Sequence, residues 1–248
     1  MSQVKIANWS AYYKYGTFDK IERLRPMICE SRFYFASPEE LNDPSDCKTI
    51  VADHSEQEIV EFLIKANRRF YGDSRSDGYI REGIKKFGPA TLLEEMTRGF
   101  NKIMGTRFGV FSLARRPNNM ALWAKYADGH KGYCLEFSGL RRFANVYEVR
   151  YATKLPLALK LEADPEQADF LYTKSSEWSN EEEARILMKP SGYHSLPRSA
   201  LKGIIFGEHC EPENRDVIQS WVNECDTSIS LNKASFNQTR QELEIRVI

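Results

Sequence analysis

Glu181 and Glu183, two residues apart and followed by Arg185, are the side chains of this chain best suited to chemistry at a sugar carbon. Read as a strand from Glu181 to Met188, the segment puts Glu181, Glu183 and Arg185 on one face. Glu182, Ala184, Ile186 and Met188 fall on the other. Two carboxylates pointing the same way can position a nucleophile and stabilise an oxocarbenium-like sugar while a glycosidic bond breaks. The competing reading of the same residues is a solvated acidic strand edge with Arg185 as its counter-ion.

Three further clusters carry polar or aromatic chemistry. Tyr12-Tyr13-Lys14-Tyr15, as a strand, sets Tyr13 and Tyr15 on one face, which either stacks a flat ring or covers the core edge with its hydroxyls in water. Asn118 to Asp128 predicts a helix on which Met120, Trp123 and Ala127 share a face, with Trp123 and Tyr126 at the core or its edge. The turn that follows, Gly129-His130-Lys131-Gly132, together with a helix N-terminus, offers a cation pair for a phosphate. Asn42-Asp43-Pro44-Ser45-Asp46 reads as a turn held by side-chain to backbone hydrogen bonds, with Asn42 as a wall of a site. Asp43 and Asp46 are the candidates there for a metal or a ribose. No GxxxxGK[ST], GxGxxG, HExxH or GxSxG pattern occurs, and His54, His130, His194 and His209 stand singly. The five cysteines form no CxxC pair, so no metal site is expected, and the thiols are expected to be reduced.

These side chains must be held by a fold that 248 residues can supply, and 42% hydrophobic with 28% charged residues matches a globular composition; a single domain over residues 1–248 is expected. Thirty-five basic against thirty-five acidic residues give no net field, so nucleic-acid binding is not implied. No apolar run approaches the roughly 18 residues of a membrane span, and the first residues lack the apolar region of a secretory signal. A cytoplasmic protein without a membrane partner is expected.

Local patterning predicts a short helix around Lys20 to Cys29, a strand from Arg32 to Ala36 and a capping box at Ser37-Pro38-Glu39-Glu40. A helical insert spans about residues 55–105. Ile59, Phe62, Leu63, Ala66 and Phe70 mark its first helix, and Leu92, Leu93, Met96, Phe100 and Met104 mark its second; a polar turn from Gly72 to Gly78 separates them. Strands follow at Arg107 to Leu113, Gly132 to Phe137, Val146 to Tyr151, Ala184 to Met188, Leu201 to Phe206, Ser228 to Leu231 and Leu243 to Val247. Helices are expected at Asn118 to Asp128, Pro165 to Lys174 and Pro212 to Cys225. Strands mixed with irregularly placed helices predict an α+β fold around a largely antiparallel sheet.

Tyr13-Lys14-Tyr15, Phe33 to Pro38 with Leu41 to Asp46, Phe111-Ser112-Leu113, Met120 to Ala127 and His130 to Phe137 form an ordered set. Lys174 with Trp178, Glu181, Glu183 and Arg185, and then Gly203 to Gly207, complete it. The set resembles a widespread bacterial family known as domain of unknown function 2971. More loosely, an early aromatic and basic strand, a middle strand ending in serine and a late Glu-x-Glu are similar to the ADP-ribosyltransferase arrangement. That resemblance implies a split antiparallel sheet around nicotinamide adenine dinucleotide (NAD). It makes Glu183 the carboxylate that binds the ribose hydroxyl and stabilises the oxocarbenium ion, and Glu181 the group that orients the acceptor. Tyr13, Lys14 and Tyr15 would line the dinucleotide, aromatic rings would hold its cationic ring, and Ser37, Asn42, Trp123, Tyr126, His130, Lys131 and Arg185 complete the expected binding set.

The expected activity is transfer of ADP-ribose to a macromolecular acceptor, or cleavage of the glycosidic bond, in a bacterial defence or toxin setting. Changing Glu183 to Gln is expected to abolish it with the melting temperature nearly unchanged. Two alternatives stand beside it: a non-enzymatic sensor module holding a nucleotide or a protein partner, and a metal-dependent nuclease using Asp43, Asp46, Glu181 and Glu183. An enzyme should present Glu181 and Glu183 in a cleft beside Tyr13 or Tyr15, and a module can leave them on an exposed edge.

Overall fold

The computed structural model describes residues 4–48, 55–71, 74–153, 169–225 and 228–248. Its centre is β1 (Tyr12–Gly16), which pairs antiparallel with β4 (Tyr133–Phe137) along its whole length and with β3 (Gly109–Ala114) at the single position Tyr13↔Ala114. Beyond β3 lie β8 (Glu183–Met188) and the two-residue β5 (Tyr147–Glu148). Beyond β4 lie β10 (Leu201–Phe206), β11 (Ser230–Asn237) and β12 (Glu242–Val247). The eight strands run in the order β12-β11-β10-β4-β1-β3-β8-β5, all neighbours antiparallel except β10 and β11. The protein is thus α+β with a large, mostly antiparallel sheet.

Period-two alternation explains why these segments are strands. Tyr133, Leu135 and Phe137 of β4, Phe111 and Leu113 of β3, and Ile204 and Phe206 of β10 turn to one face. There they join Leu24, Met27 and Ile28 of α1 (Leu24–Cys29) and Ile218 and Val222 of α6 (Pro212–Glu224). The intervening Cys134 and Ile205 turn to the opposite face, against Trp123, Ala127, Ala234 and Leu243. A ladder of β2 (Arg32–Phe35) with β9 (Gly192–Ser195) flanks the main sheet, with Phe33 and Phe35 packed on Phe111. A parallel ladder joins β6 (Arg150–Ala152) to β7 (Thr173–Ser175).

The insert holds three helices where two are expected: α2 (Glu56–Tyr71), α3 (Ser74–Phe87) and α4 (Pro89–Arg107). The stretch read as a turn up to Gly78 is helical from Ser74. Ile80 and Ile84, one turn apart, pack into the cluster of Ile59, Leu63, Leu93 and Phe100, and Arg68 of α2 pairs with Asp77 of α3, so tertiary burial overrides the weak helix propensity of Gly and Ser. The side chains of Phe70 and Met104 lie outside the described residues. So does the start of the helix expected from Pro165; its described end is a 3₁₀ turn, Asp169–Tyr172, that runs into β7. Val146 to Tyr151 is broken into β5 and β6.

The expectation of reduced cysteines is corrected: Cys29 and Cys225, 196 residues apart in sequence, form a disulfide that joins the C-terminal ends of α1 and α6. Their pairing is created by helix packing, which local spacing does not encode. Cys47, Cys134 and Cys210 are free and buried. No described helix is long and apolar enough to cross a membrane.

Candidate functional site

Beside the single contact between β1 and β3 lies a cavity of about 320 Å³. β1 contributes Tyr13, Lys14 and Tyr15 to its wall, β3 contributes Ser112, and β8 contributes Glu183. Lys174 comes from β7 and Tyr126 from α5 (Met120–Tyr126), and the segment after the 3₁₀ turn Pro38–Glu40 supplies Asn42 and Asp46. Glu181 reaches the same cavity from a 3₁₀ helix, Ser176–Glu181, so the strand expected to start at Glu181 starts at Glu183. Between the two acids Glu182 adopts a left-handed conformation (φ 45°, ψ 52°), a backbone strain of roughly 1–3 kcal/mol of the kind functional sites carry.

The carboxylates converge on buried cations. Lys174 Nζ lies 2.6 Å from Glu181 Oε2, 3.3 Å from Glu183 Oε2 and 3.5 Å from Asp46 Oδ2. Arg185, fully buried, donates from Nε to Glu183 Oε1 at 2.7 Å and from Nη2 to Glu183 Oε2 at 3.1 Å and Asp46 Oδ2 at 2.6 Å. Its Nη1 donates to the Leu171 carbonyl at 2.8 Å and meets Cys47 Sγ at 3.0 Å. Glu181 Oε1 accepts from the Tyr126 hydroxyl at 2.6 Å and from Lys125 Nζ at 3.2 Å, and that ammonium lies 3.2 Å from the Trp178 ring centroid. The backbone N–H of Glu183 donates to the Tyr151 hydroxyl at 2.8 Å.

Three carboxylates, Asp46, Glu181 and Glu183, face two interior cations, Lys174 and Arg185, which leaves one negative charge in excess before Lys125 at the rim is counted. Burial works against ionisation of Glu183, but Arg185 and Lys174, with the Ser112 hydroxyl, hold its carboxyl down at about 2. Burial likewise opposes the charge on Lys174, and Glu183, Asp46 and Glu181 together outweigh it, so the ammonium persists well above its usual range. Burial pushes Tyr126 up, and its hydrogen bond to Glu181 adds to the shift. On the facing wall Lys14 donates to the Ser112 carbonyl at 3.1 Å and sits 4.4 Å from the Phe111 ring centroid.

Of the residues singled out in the sequence, Tyr13, Lys14, Tyr15, Asn42, Asp46, Tyr126, Glu181 and Glu183 line this one cavity. The others sit apart. Ser37 caps the 3₁₀ turn Pro38–Glu40 in a box with Glu40. Trp123 is buried, with its Nε1 donating to the Pro117 carbonyl at 2.7 Å. Arg185 stands behind Glu183 rather than in the wall. His130 stacks on Trp123 and its carbonyl accepts from His209 N at 3.0 Å, so the Gly129–Gly132 turn is spent on docking the segment after β10; Lys131 is exposed there. Tyr15 also braces the fold, because its hydroxyl donates to the Arg116 carbonyl at 2.7 Å and its ring meets Trp123 edge-on.

Asp43 forms the expected turn, accepting from Ser45 N at 2.9 Å, whereas Asp46 swings to Arg185 and Lys174. Among the described residues no group of three or more His, Cys, Asp or Glu is arranged to hold a metal ion. The sequence assigns Lys174 no role, and it reads Asp46 as part of a turn or as a ligand for a metal or a ribose; a lysine amid three acids is legible only after folding. Compared with protein-family models, curated proteins and solved structures, the chain shows no match.

Proposed function

We propose that the protein is an enzyme that breaks the glycosidic bond between nicotinamide and ribose in NAD or a related nucleotide, passing ADP-ribose to water or to a macromolecular acceptor. The observation that carries this reading is the convergence of Glu181 and Glu183 in one cavity with Tyr13, Lys14 and Tyr15. The cavity is bipolar, with Lys20 lining it alongside Asp46, Glu181 and Glu183, and so suits a ligand carrying both an anionic phosphate and a cationic ring. About 320 Å³ lies at the low end of small-molecule sites, roughly 300–1,000 Å³, and takes the reacting end of a dinucleotide rather than all of it.

The chemistry follows from charge. When the bond from the sugar carbon to the pyridinium nitrogen breaks, its electron pair neutralises the ring and positive charge moves to the sugar. Glu183 stays ionised down to about pH 2, and its carboxylate with that of Glu181 lies beside that developing cation. Lys174 and Arg185 fix the carboxylates in place before the substrate arrives. The single register pair between β1 and β3 supports reading the sheet as two halves that part at the site, in keeping with the ADP-ribosyltransferase resemblance.

A second reading has its own observation. Every oxygen of Glu181 and Glu183 already accepts from a cation or hydroxyl, which is what a rigid wall in a nucleotide-binding sensor module would show. The two are separated by incubating purified protein with NAD and following nicotinamide release together with binding. The enzyme reading expects release, and expects Glu181→Gln to depress it strongly in a folded sample. Binding without release leaves the sensor module, and neither binding nor release removes both.

A further inference from the structure

Water or an acceptor hydroxyl that attacks the sugar carbon must lose a proton, and the cavity's carboxylates are poorly placed to take it. Glu183 Oε1 is held by Arg185, and its Oε2 by Arg185 and Lys174. Glu181 Oε1 is held by Tyr126 and Lys125, and its Oε2 by Lys174. Asp46 Oδ2 faces Arg185 and Lys174, and its Oδ1, which has no hydrogen-bond partner among the described residues, is fully buried beside them. Glu40 is taken up by Ser37 N and the Tyr34 hydroxyl. A proton on any of these carboxylates would neutralise it and so weaken the ion pairs or the cap it already forms.

Lys14 is placed differently. It is half-buried in the cavity wall, its Nζ donates to the Ser112 carbonyl, and among the described residues no carboxylate lies within ion-pairing distance of it. A lysine so placed can lose its proton and present a lone pair to the cavity. We infer that Lys14, as the neutral amine, is the base that accepts the proton of the attacking water or acceptor hydroxyl, an assignment that rests on the glycosidic-cleavage reading above. In the step, an oxygen lone pair forms the bond to the sugar carbon. The carbon–nitrogen bond breaks with its electron pair going to the ring nitrogen of nicotinamide, and the proton released from the oxygen ends on Lys14 Nζ as ammonium.

Electrostatics around the amine agree. Burial brings it down to about 8; Glu183, facing it from β8, opposes the shift, and Arg23, from the 3₁₀ segment Phe18–Arg23, adds to it. Its register partner on β4 is the uncharged Leu135, its neighbours on β1 are the un-ionised Tyr13 and Tyr15, and Lys20, Asp46, Lys174 and Glu181 share the cavity.

The test is the pH profile of nicotinamide release from NAD by the purified full chain, for wild type, Lys14→Met and Lys14→Arg. A base that titrates near 8 is about one-tenth neutral at pH 7 and nine-tenths at pH 9, so the wild-type rate rises about tenfold over that interval. Methionine has no basic atom there and arginine stays charged, so both variants lose the rise, and the arginine variant keeps the readout open where methionine packs badly. A wild-type profile without the rise, or a rise of full size in either folded variant, overturns the role of Lys14 while the cleavage reading stands. No release by wild type at any pH overturns both.

Discussion

Lys174 has three acids within 3.5 Å and almost no exposed surface, so its charge exists only because those acids are there. The same holds for Arg185, whose guanidinium meets Glu183, Asp46, Cys47 and the Leu171 carbonyl with none of its surface exposed. Removing one partner of such a set leaves a buried charge uncompensated, at a cost of about 3–5 kcal/mol. Glu183→Gln is therefore expected to lower unfolding stability by about that much in a denaturant titration, against the unchanged melting temperature that the sequence suggests. An unchanged midpoint would show that Arg185 and Lys174 do not depend on Glu183. The two glutamates were legible as a pair because their spacing is local. Asp46 is legible as a candidate acid but not as the partner of Arg185, because 139 residues separate the two, and nothing in an Asn-Asp-Pro turn announces a cation partner.

At the scale of elements, the strands were legible wherever both faces alternate cleanly, as in β3, β4, β10 and β12. They were missed or cut short where pairing is set from outside. β9 forms only by laying Tyr193 and His194 beside β2, and β11 runs on to Asn237 because β12 pairs with it through six residues. The cavity depends on an element contact of the same non-local kind. Asn119 caps α5 by accepting from Ala121 N and Leu122 N, and its Nδ2 donates to the Asn180 carbonyl at 2.8 Å, so one side chain ties the helix bearing Tyr126 to the turn bearing Glu181. Asn119→Ala removes both links. It is expected to lower stability by about 1 kcal/mol and to speed amide hydrogen exchange across residues 176–182 and 119–122. Exchange that stays at wild-type rates in the 176–182 turn would mean that the Tyr126–Glu181 contact alone holds the two together.

For the whole molecule, no described residue of α1 or α6, the helices the disulfide joins, lines the cavity. Glu181, Glu183 and Lys14 work beside the contact of β1 with β3, while Cys29 and Cys225 pin α1 to α6 over the apolar face of the sheet, where Arg25 also pairs with Glu224 at 2.7 Å. Closing a loop of 196 residues limits the unfolded chain, so Cys225→Ser is expected to cost about 2–5 kcal/mol of stability, with the groups around the cavity left in place. The state of the pair also bears on where the protein works, because disulfides are rare in a cytosol that keeps thiols reduced. Titrating thiols in the denatured protein, purified without reductant and with alkylation at lysis, separates the cases. Three reactive thiols match the bonded state, with Cys47, Cys134 and Cys210 free, and are expected to become five after reduction. Five from the start would mean that α1 and α6 are held by packing and the Arg25–Glu224 pair alone. The stability difference between wild type and Cys225→Ser should then disappear, which joins the two measurements into one test of the staple.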